Sequence, residues 1–222
     1  MNTLTLENIT LALTNSPDIL GKDKYFNSAV LVPLIIIDNK FHFLFEKRAN
    51  QIRQGGEISF PGGEFDSKKD QGLRHTAIRE TSEELGLPAE KIKIIGKFGT
   101  LVAPMGVTVD AFVGILAIKS LDELAIDVNE VEKVFLVPVE HFLKQKPEEY
   151  TVKLEVHPSY TDENGKKIEL LPVQKLGLPS RYSKPWKNGF HRILVYNSTD
   201  DVIWGITAEI VFELCRMINS SK

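Results

Sequence analysis

The chain carries one cysteine among its 222 residues, Cys215. An internal disulfide is excluded, and because Cys215 sits in an apolar helical pattern it is expected to be a packed core thiol. Long hydrophobic runs are also missing. None approaches the roughly 18 residues of a membrane-spanning helix, and the first residues lack a basic stretch followed by an apolar one, so neither a span nor a signal peptide is expected. The cytoplasm is the compartment this favours. Charge of one sign is not in excess, since 27 Lys and Arg face 30 Asp and Glu for a net charge of −3. That balance argues against nucleic acid or an anionic membrane as a partner, and it makes any affinity for phosphate a local property. No internal repeat and no low-complexity tract is present.

What remains is the composition of an ordinary globular chain, 42% hydrophobic and 26% charged, long enough for one large domain with an appendage. An amphipathic helix is expected over residues 3–13, within an N-terminal arm at 1–26 packed on a domain at 27–222. The apolar run at 29–37 reads as a buried strand, and Asp38-Asn39-Lys40 as a turn into a return strand carrying Phe41, Phe43 and Phe45. A short strand at 58–60 leads into a glycine loop, and a helix is expected over 71–85 with Leu73, Ala77, Thr81 and Leu85 facing inward. Strands follow at 92–102 and 107–118, then a helical turn and strand over 129–137 and a helix at 138–144. The strong turn signal Asp162-Glu163-Asn164-Gly165 is expected to join strands at 150–156 and 168–171. A strand at 189–196 and a helix at 207–218 complete an α+β arrangement, a mixed-sheet sandwich without regular βαβ alternation. Residues 157–192, rich in aromatics and proline, form a long excursion, and its histidines have no partner at metal-ligand spacing.

The chemistry concentrates in the segment Arg79-Glu80-Thr81-Ser82-Glu83-Glu84-Leu85-Gly86-Leu87. Helical spacing makes Glu83 and Glu84 neighbours of Glu80, with Arg79 at the flank. Taken alone, such a run is most often a solvated charged face. Beside the upstream Phe60-Pro61-Gly62-Gly63 and the terminator Gly86-Leu87-Pro88 it reads differently. Like charges this close repel, and a hard cation resolves the conflict, because magnesium takes oxygen ligands and is commonly held by a few carboxylates together with substrate phosphates. The two glycines are expected to permit positive φ and close backbone approach to the ion or its phosphate.

These residues resemble the Nudix box, the metal-binding signature of hydrolases acting on nucleoside diphosphates linked to another group. Gly63 and Arg79 lie sixteen residues apart, two more than in the usual box, and no glutamate stands where its first one would; Asp66 and Asp70 are the nearest acids. The stretch from Phe43 through Lys47, Arg48, Arg53 and Gly56 to Gly63 is similar to the motif preceding the box in the coenzyme A pyrophosphatase branch. Segments at 129–138 and 203–208 also resemble that branch, whose box loop is lengthened in the same way. The likeness covers most of residues 29–218.

The resemblance implies an α/β/α sandwich with a mixed central sheet, and Mg²⁺ or Mn²⁺ as cofactor. It implies an ion held by Glu80 and Glu84, with Glu83 and the Gly63 carbonyl close by. A carboxylate must accept the proton of the attacking water; Glu83 and the loop acid Glu130 are the candidates. Arg79 is expected to orient the glutamates. Lys47, Arg48, Arg53 and Gly62 are expected to meet the phosphates of a small nucleotide substrate. Coenzyme A diphosphatase activity is the first expectation. Hydrolysis of ADP-ribose, dinucleotides or oxidised nucleotides is the second, and a non-catalytic nucleotide sensor is disfavoured by the presence of all three glutamates. A homodimer is left open.

Overall fold

The computed structural model describes residues 19–104, 106–197 and 200–220. The helix expected over 3–13, and most of the arm, lie outside the described residues. The apolar run forms β1 (Phe26–Ile37), which turns through Asp38 and Asn39 into β2 (Lys40–Arg48). Both turn residues have positive φ, 49° and 62°, the geometry whose twist suits a two-residue hairpin. Short strands β3 (Ile58–Ser59) and β4 (Gly62–Glu64) follow, then β5 (Ile92–Ala103), β6 (Val107–Leu116) and β7 (Val131–Pro138). These seven make one mixed sheet: β1 runs parallel to β6 and antiparallel to β2 and β4, while β2 pairs antiparallel with β3 and β7.

Strand alternation sends side chains to two cores. Leu31, Leu44 and Phe112 join Ala77, Leu85 and Leu87 under helix α1 (Leu73–Leu85). Val32, Phe43 and Phe45 join Phe142 of α2 (Val139–Lys144) and Ala208, Val211 and Cys215 of α3 (Gly205–Ser220) on the other face. The result is a sandwich with a mixed central sheet between helices, as expected. Cys215 is buried, as its apolar helical surroundings implied, and burial pushes its thiol up to about 11.

One pairing differs from expectation. The turn at Asp162–Gly165 forms, with the Asp162 carboxylate accepting the amides of Asn164 and Lys166, but it joins the short strands β9 (Ser159–Thr161) and β10 (Lys167–Glu169). The longer strand β8 (Glu148–Val156) instead pairs with β11 (Trp186–Tyr196), which also pairs with β12 (Ile203–Trp204). A local turn signal fixes only the pairing it closes; the partner of β8 lies thirty residues further along, from Val156 to Trp186. In the excursion, Tyr182 and Trp186 meet edge to face, and Phe190 is 79% exposed.

Candidate active site

Helix α1 crosses the sheet over β4 and β1, and Gly63 lets its Glu80 side chain come close while Gly62 lets β4 lie against β1. Neither glycine has positive φ, so the expectation of a left-handed turn there is corrected: both are required by space. A Cβ on Gly62 would collide with the Ala29 carbonyl of the adjacent strand, and one on Gly63 would stand 2.5 Å from Oε1 of Glu80. Glycine thus sets Glu80 directly against the strand backbone. Gly86 does take the left-handed conformation, φ 61°, and caps the helix with its amide on the Ser82 carbonyl.

Glu84 is 2% exposed, and its Oε2 accepts the Gly62 amide at 2.8 Å. Burial pushes its carboxyl well above the usual range, and the charge of Glu46 adds to the rise. Glu80 is raised by burial, against the pull of Arg79 at 2.8 Å. Glu83 is different: its carboxylate is 56% exposed and rests on Arg79 at 3.0 Å.

Arg79 is held by Asp70, Nε to Oδ1 at 2.8 Å and Nη2 to Oδ2 at 2.9 Å. The Thr76 hydroxyl also donates to Asp70. The guanidinium holds the Asp70 carboxyl well below the ordinary range. An acid of the lengthened loop therefore orients the arginine that in turn touches Glu80 and Glu83.

Glu130 stands in the turn before β7. The turn is tied to the C-terminal end of α1 through Asp127 N–H on the Glu84 carbonyl, and to the β2–β3 loop through Ala49 N–H on the Glu130 carbonyl. Its charge is felt at both Glu46 and Glu80. It sits in a turn, not at the start of a helix.

The basic residues divide. Arg48 shares the α1 face of β2 with Glu46 and lowers both Glu46 and Glu84 by its charge. Arg53 lies in the loop after β2, its guanidinium 5.9 Å from the Phe26 ring centroid, while its carbonyl accepts Arg48 Nε. Lys47 is not brought to the acids. Alternation turns it to the α3 face, where it pairs with Glu132 at 3.2 Å and Asp201 at 3.4 Å.

Two groups escaped the sequence reading. Glu46 on β2 is 0% exposed; its Oε1 accepts the Ser59 hydroxyl at 2.9 Å and its Oε2 has no partner. Burial pushes it up to about 7. Asp110 is the other. The register Gly63–Ala29–Asp110–Thr100 forms one row across four strands, placing buried Asp110 about 10 Å from Gly63 at the ordinary strand spacing. Lys22 and Lys97 both pair with it. Burial opposes its charge, but hydrogen bonds from these lysines and from Thr100 hold its carboxyl below the usual value.

Among the described residues no three His, Cys, Asp or Glu side chains converge as a finished cage. Arg79 occupies Glu80, and Gly62 occupies one oxygen of Glu84. The donor set nevertheless fits a hard divalent ion that keeps several waters. The donors are all carboxylates, the glycine strand lies open to Glu80, and the orphaned Glu46 oxygen calls for positive charge.

A glycine strand under a glutamate helix, with an arginine bound to Glu80 and Glu83, is an arrangement suited to a divalent cation and the phosphates it would bind. The NUDIX domain model matches residues 27–159, and the chain belongs to the Nudix family of pyrophosphate-bond hydrolases. It is 26% identical over 219 residues to Nudix hydrolase 3 of Caenorhabditis elegans, covering 96% of this chain and 83% of that one. It is 37% identical over 130 residues to the mitochondrial coenzyme A diphosphatase NUDT8 of Homo sapiens, covering 56% of this chain and 53% of that protein. Among solved structures, a MutT/nudix family protein from Enterococcus faecalis aligns over 97% of this chain and 70% of its own, with TM-score 0.46 and 14% identity. No helix among the described residues is long and apolar enough to cross a membrane.

Proposed function

We propose that the chain hydrolyses the pyrophosphate bond of coenzyme A or an acyl-coenzyme A, giving 3′,5′-ADP and 4′-phosphopantetheine or its acyl form. The observation that carries the catalytic part is the set of enclosed, mutually repelling carboxylates, Glu46, Glu80 and Glu84, against the glycine strand. The substrate part is supported by the branch motif over residues 43–63 and by the likeness to a coenzyme A diphosphatase.

In this reading Glu80 and Glu84, with the Gly63 carbonyl nearby and Glu83 at the rim, would hold Mg²⁺ or Mn²⁺, which would offset the charge of the two phosphoryl groups and ease deprotonation of the attacking water. The water oxygen forms a bond to one phosphorus, the bridging P–O bond breaks, and the bridging oxygen leaves with the other phosphate. Glu130 accepts the water proton: its charge reaches the site from a loop, whereas Glu83 is engaged by Arg79. Arg79 acts as a positioning residue, fixed by Asp70. Arg48 and Arg53 meet substrate phosphates on the loop side, while Lys22 and Lys97, both paired with Asp110, offer positive charge on the opposite side.

The test is a panel of coenzyme A, acetyl-coenzyme A, ADP-ribose, NADH and diadenosine polyphosphates with the wild-type chain and Glu84→Gln. Coenzyme A is expected to be cleaved fastest, only with Mg²⁺ or Mn²⁺, and not by the variant. Undiminished turnover in excess chelator would remove the metal mechanism. Good activity on ADP-ribose with none on coenzyme A would remove the substrate assignment.

A further inference from the structure

Glu46 has no place in a metal site drawn from the α1 glutamates alone. It stands on β2 between Phe45, buried on the opposite face, and Lys47, and alternation aims it with Leu44 beneath α1. The position is fully enclosed and adjoins an apolar core, where a leucine or threonine would fill the space without electrostatic cost. A carboxylate here is expensive, because a buried charge without a partner loses its hydration and gains nothing in return. Its nearest cation, Arg48, is 4.0 Å from Oε1. The remaining oxygen, Oε2, is sealed from solvent and bonded to nothing. Beyond Glu46 stand three more acids whose charges meet: Glu46 raises Glu84, and Glu80 and Glu130 raise Glu46. The surroundings add repulsion where burial already disfavours charge, so folding alone gives no reason for an acid at this position. Ser59, opposite Glu46 in the β2–β3 register, orients one oxygen and leaves the other directed away from it.

We propose that Glu46 is a ligand of the divalent cation, contributing Oε2 from the sheet side while Glu80 and Glu84 contribute from the helix side. This rests on the metal reading above. It adds a donor that the α1 signature does not contain, making the ion a clamp between β2 and α1. Three carboxylates at one ion place −3 of formal charge against +2, so the ion binds tightly to the protein before substrate arrives. The metal-free protein holds the same acids unrelieved and is destabilised by them.

The experiment measures Mn²⁺ binding to the full chain without nucleotide, by the loss of the free-Mn²⁺ electron paramagnetic resonance signal, together with melting temperatures with and without metal. Circular dichroism verifies folding of each variant. For Glu46→Gln the expected result is at least about tenfold weaker Mn²⁺ binding, on the scale of lost metal-site partners, a higher metal-free melting temperature, and a smaller rise on adding metal. Glu46→Asp keeps the charge but withdraws the oxygen by one methylene. It is expected to bind Mn²⁺ more weakly than wild type, and it carries the test if the glutamine variant does not fold. Wild-type affinity in either folded variant, beside lost binding in Glu84→Gln, would overturn the role of Glu46 and leave the metal reading standing. No Mn²⁺ binding by the wild-type chain would overturn both.

Discussion

Asp70 grips Arg79 through both carboxylate oxygens, at 2.8 and 2.9 Å, with the Asp70 carboxylate shut away from solvent. The helix glutamates take their orientation from an arginine that is itself fixed by the loop preceding the helix. Replacing Asp70 by Asn keeps the shape and removes the charge. The change removes a charge-assisted contact while Glu80 and Glu83 remain beside Arg79, so Asp70→Asn is expected to lower stability by about 1.5–3 kcal/mol in urea denaturation and to reduce kcat more than it raises KM. Because the folded value of Asp70 is depressed, its contribution is complete at neutral pH. It is lost only as pH falls below the ordinary aspartate value of about 4.

Glu46 on β2 and Glu84 on α1 work in the opposite sense. Burial raises Glu46 to about 7 and Glu84 well above its ordinary value. Between the unfolded and folded values the native state binds more protons than the unfolded chain, so stability falls as pH rises through that window. For chelator-treated protein the melting temperature is expected to decline between about pH 5 and about pH 8, and saturating Mg²⁺ is expected to flatten the profile. Scanning calorimetry at matched ionic strength measures this; a metal-free profile rising over the same range would contradict the burial of the two charges.

The two glycines of β4 separate catalysis from stability. At Gly63 an added methyl meets the end of the Glu80 side chain, which can swing aside. At Gly62 it meets the Ala29 backbone, which cannot. Gly63→Ala is therefore expected to fold with near wild-type stability and to lose most of its turnover. Gly62→Ala is expected to lose roughly 1–3 kcal/mol, the usual cost of overpacking. Denaturation curves and initial rates on the same preparations distinguish the two effects.

These residues also show where the sequence was legible. The β1–β2 hairpin, the α1 stripe and its Gly86 cap follow from local rules, periodicity and turn chemistry, and they form where expected. Glu46 did not stand out because a single polar residue in an alternating strand reads as a surface position; only the crossing of α1 above it makes the position internal. Asp110 was hidden for the same reason, since its lysine partners come from other segments. The pairing of β8 with β11 depends on a contact across the whole 157–185 excursion, which no local signal specifies. The faces of β2 were readable, however: Phe43, Phe45 and Lys47 share one parity, which already separates Lys47 from Glu46 and Arg48.

That separation makes the sharpest comparison between adjacent residues. Lys47 balances Glu132 and Asp201 on the α3 face, where Lys133 also meets Asp201 at 2.6 Å. These pairs are partly solvated, and losing one costs little because water screens them. Arg48 lies beside the acid cluster, close enough for its charge to lower Glu46 and Glu84. Replacement of Lys47 by Met is expected to leave kcat/KM within about twofold of wild type, since the interaction it removes is remote from the transition state. Replacement of Arg48 by Met is expected to raise KM about tenfold, the scale of one charge-assisted phosphate contact. The loss should also shift the acid limb of the pH–rate profile upward, because the glutamates then lose a neighbouring positive charge. If Lys47→Met instead raised KM as much as Arg48→Met, the phosphates would have to be reached across the strand from the α3 face, and the site would have to be redrawn around both faces of β2.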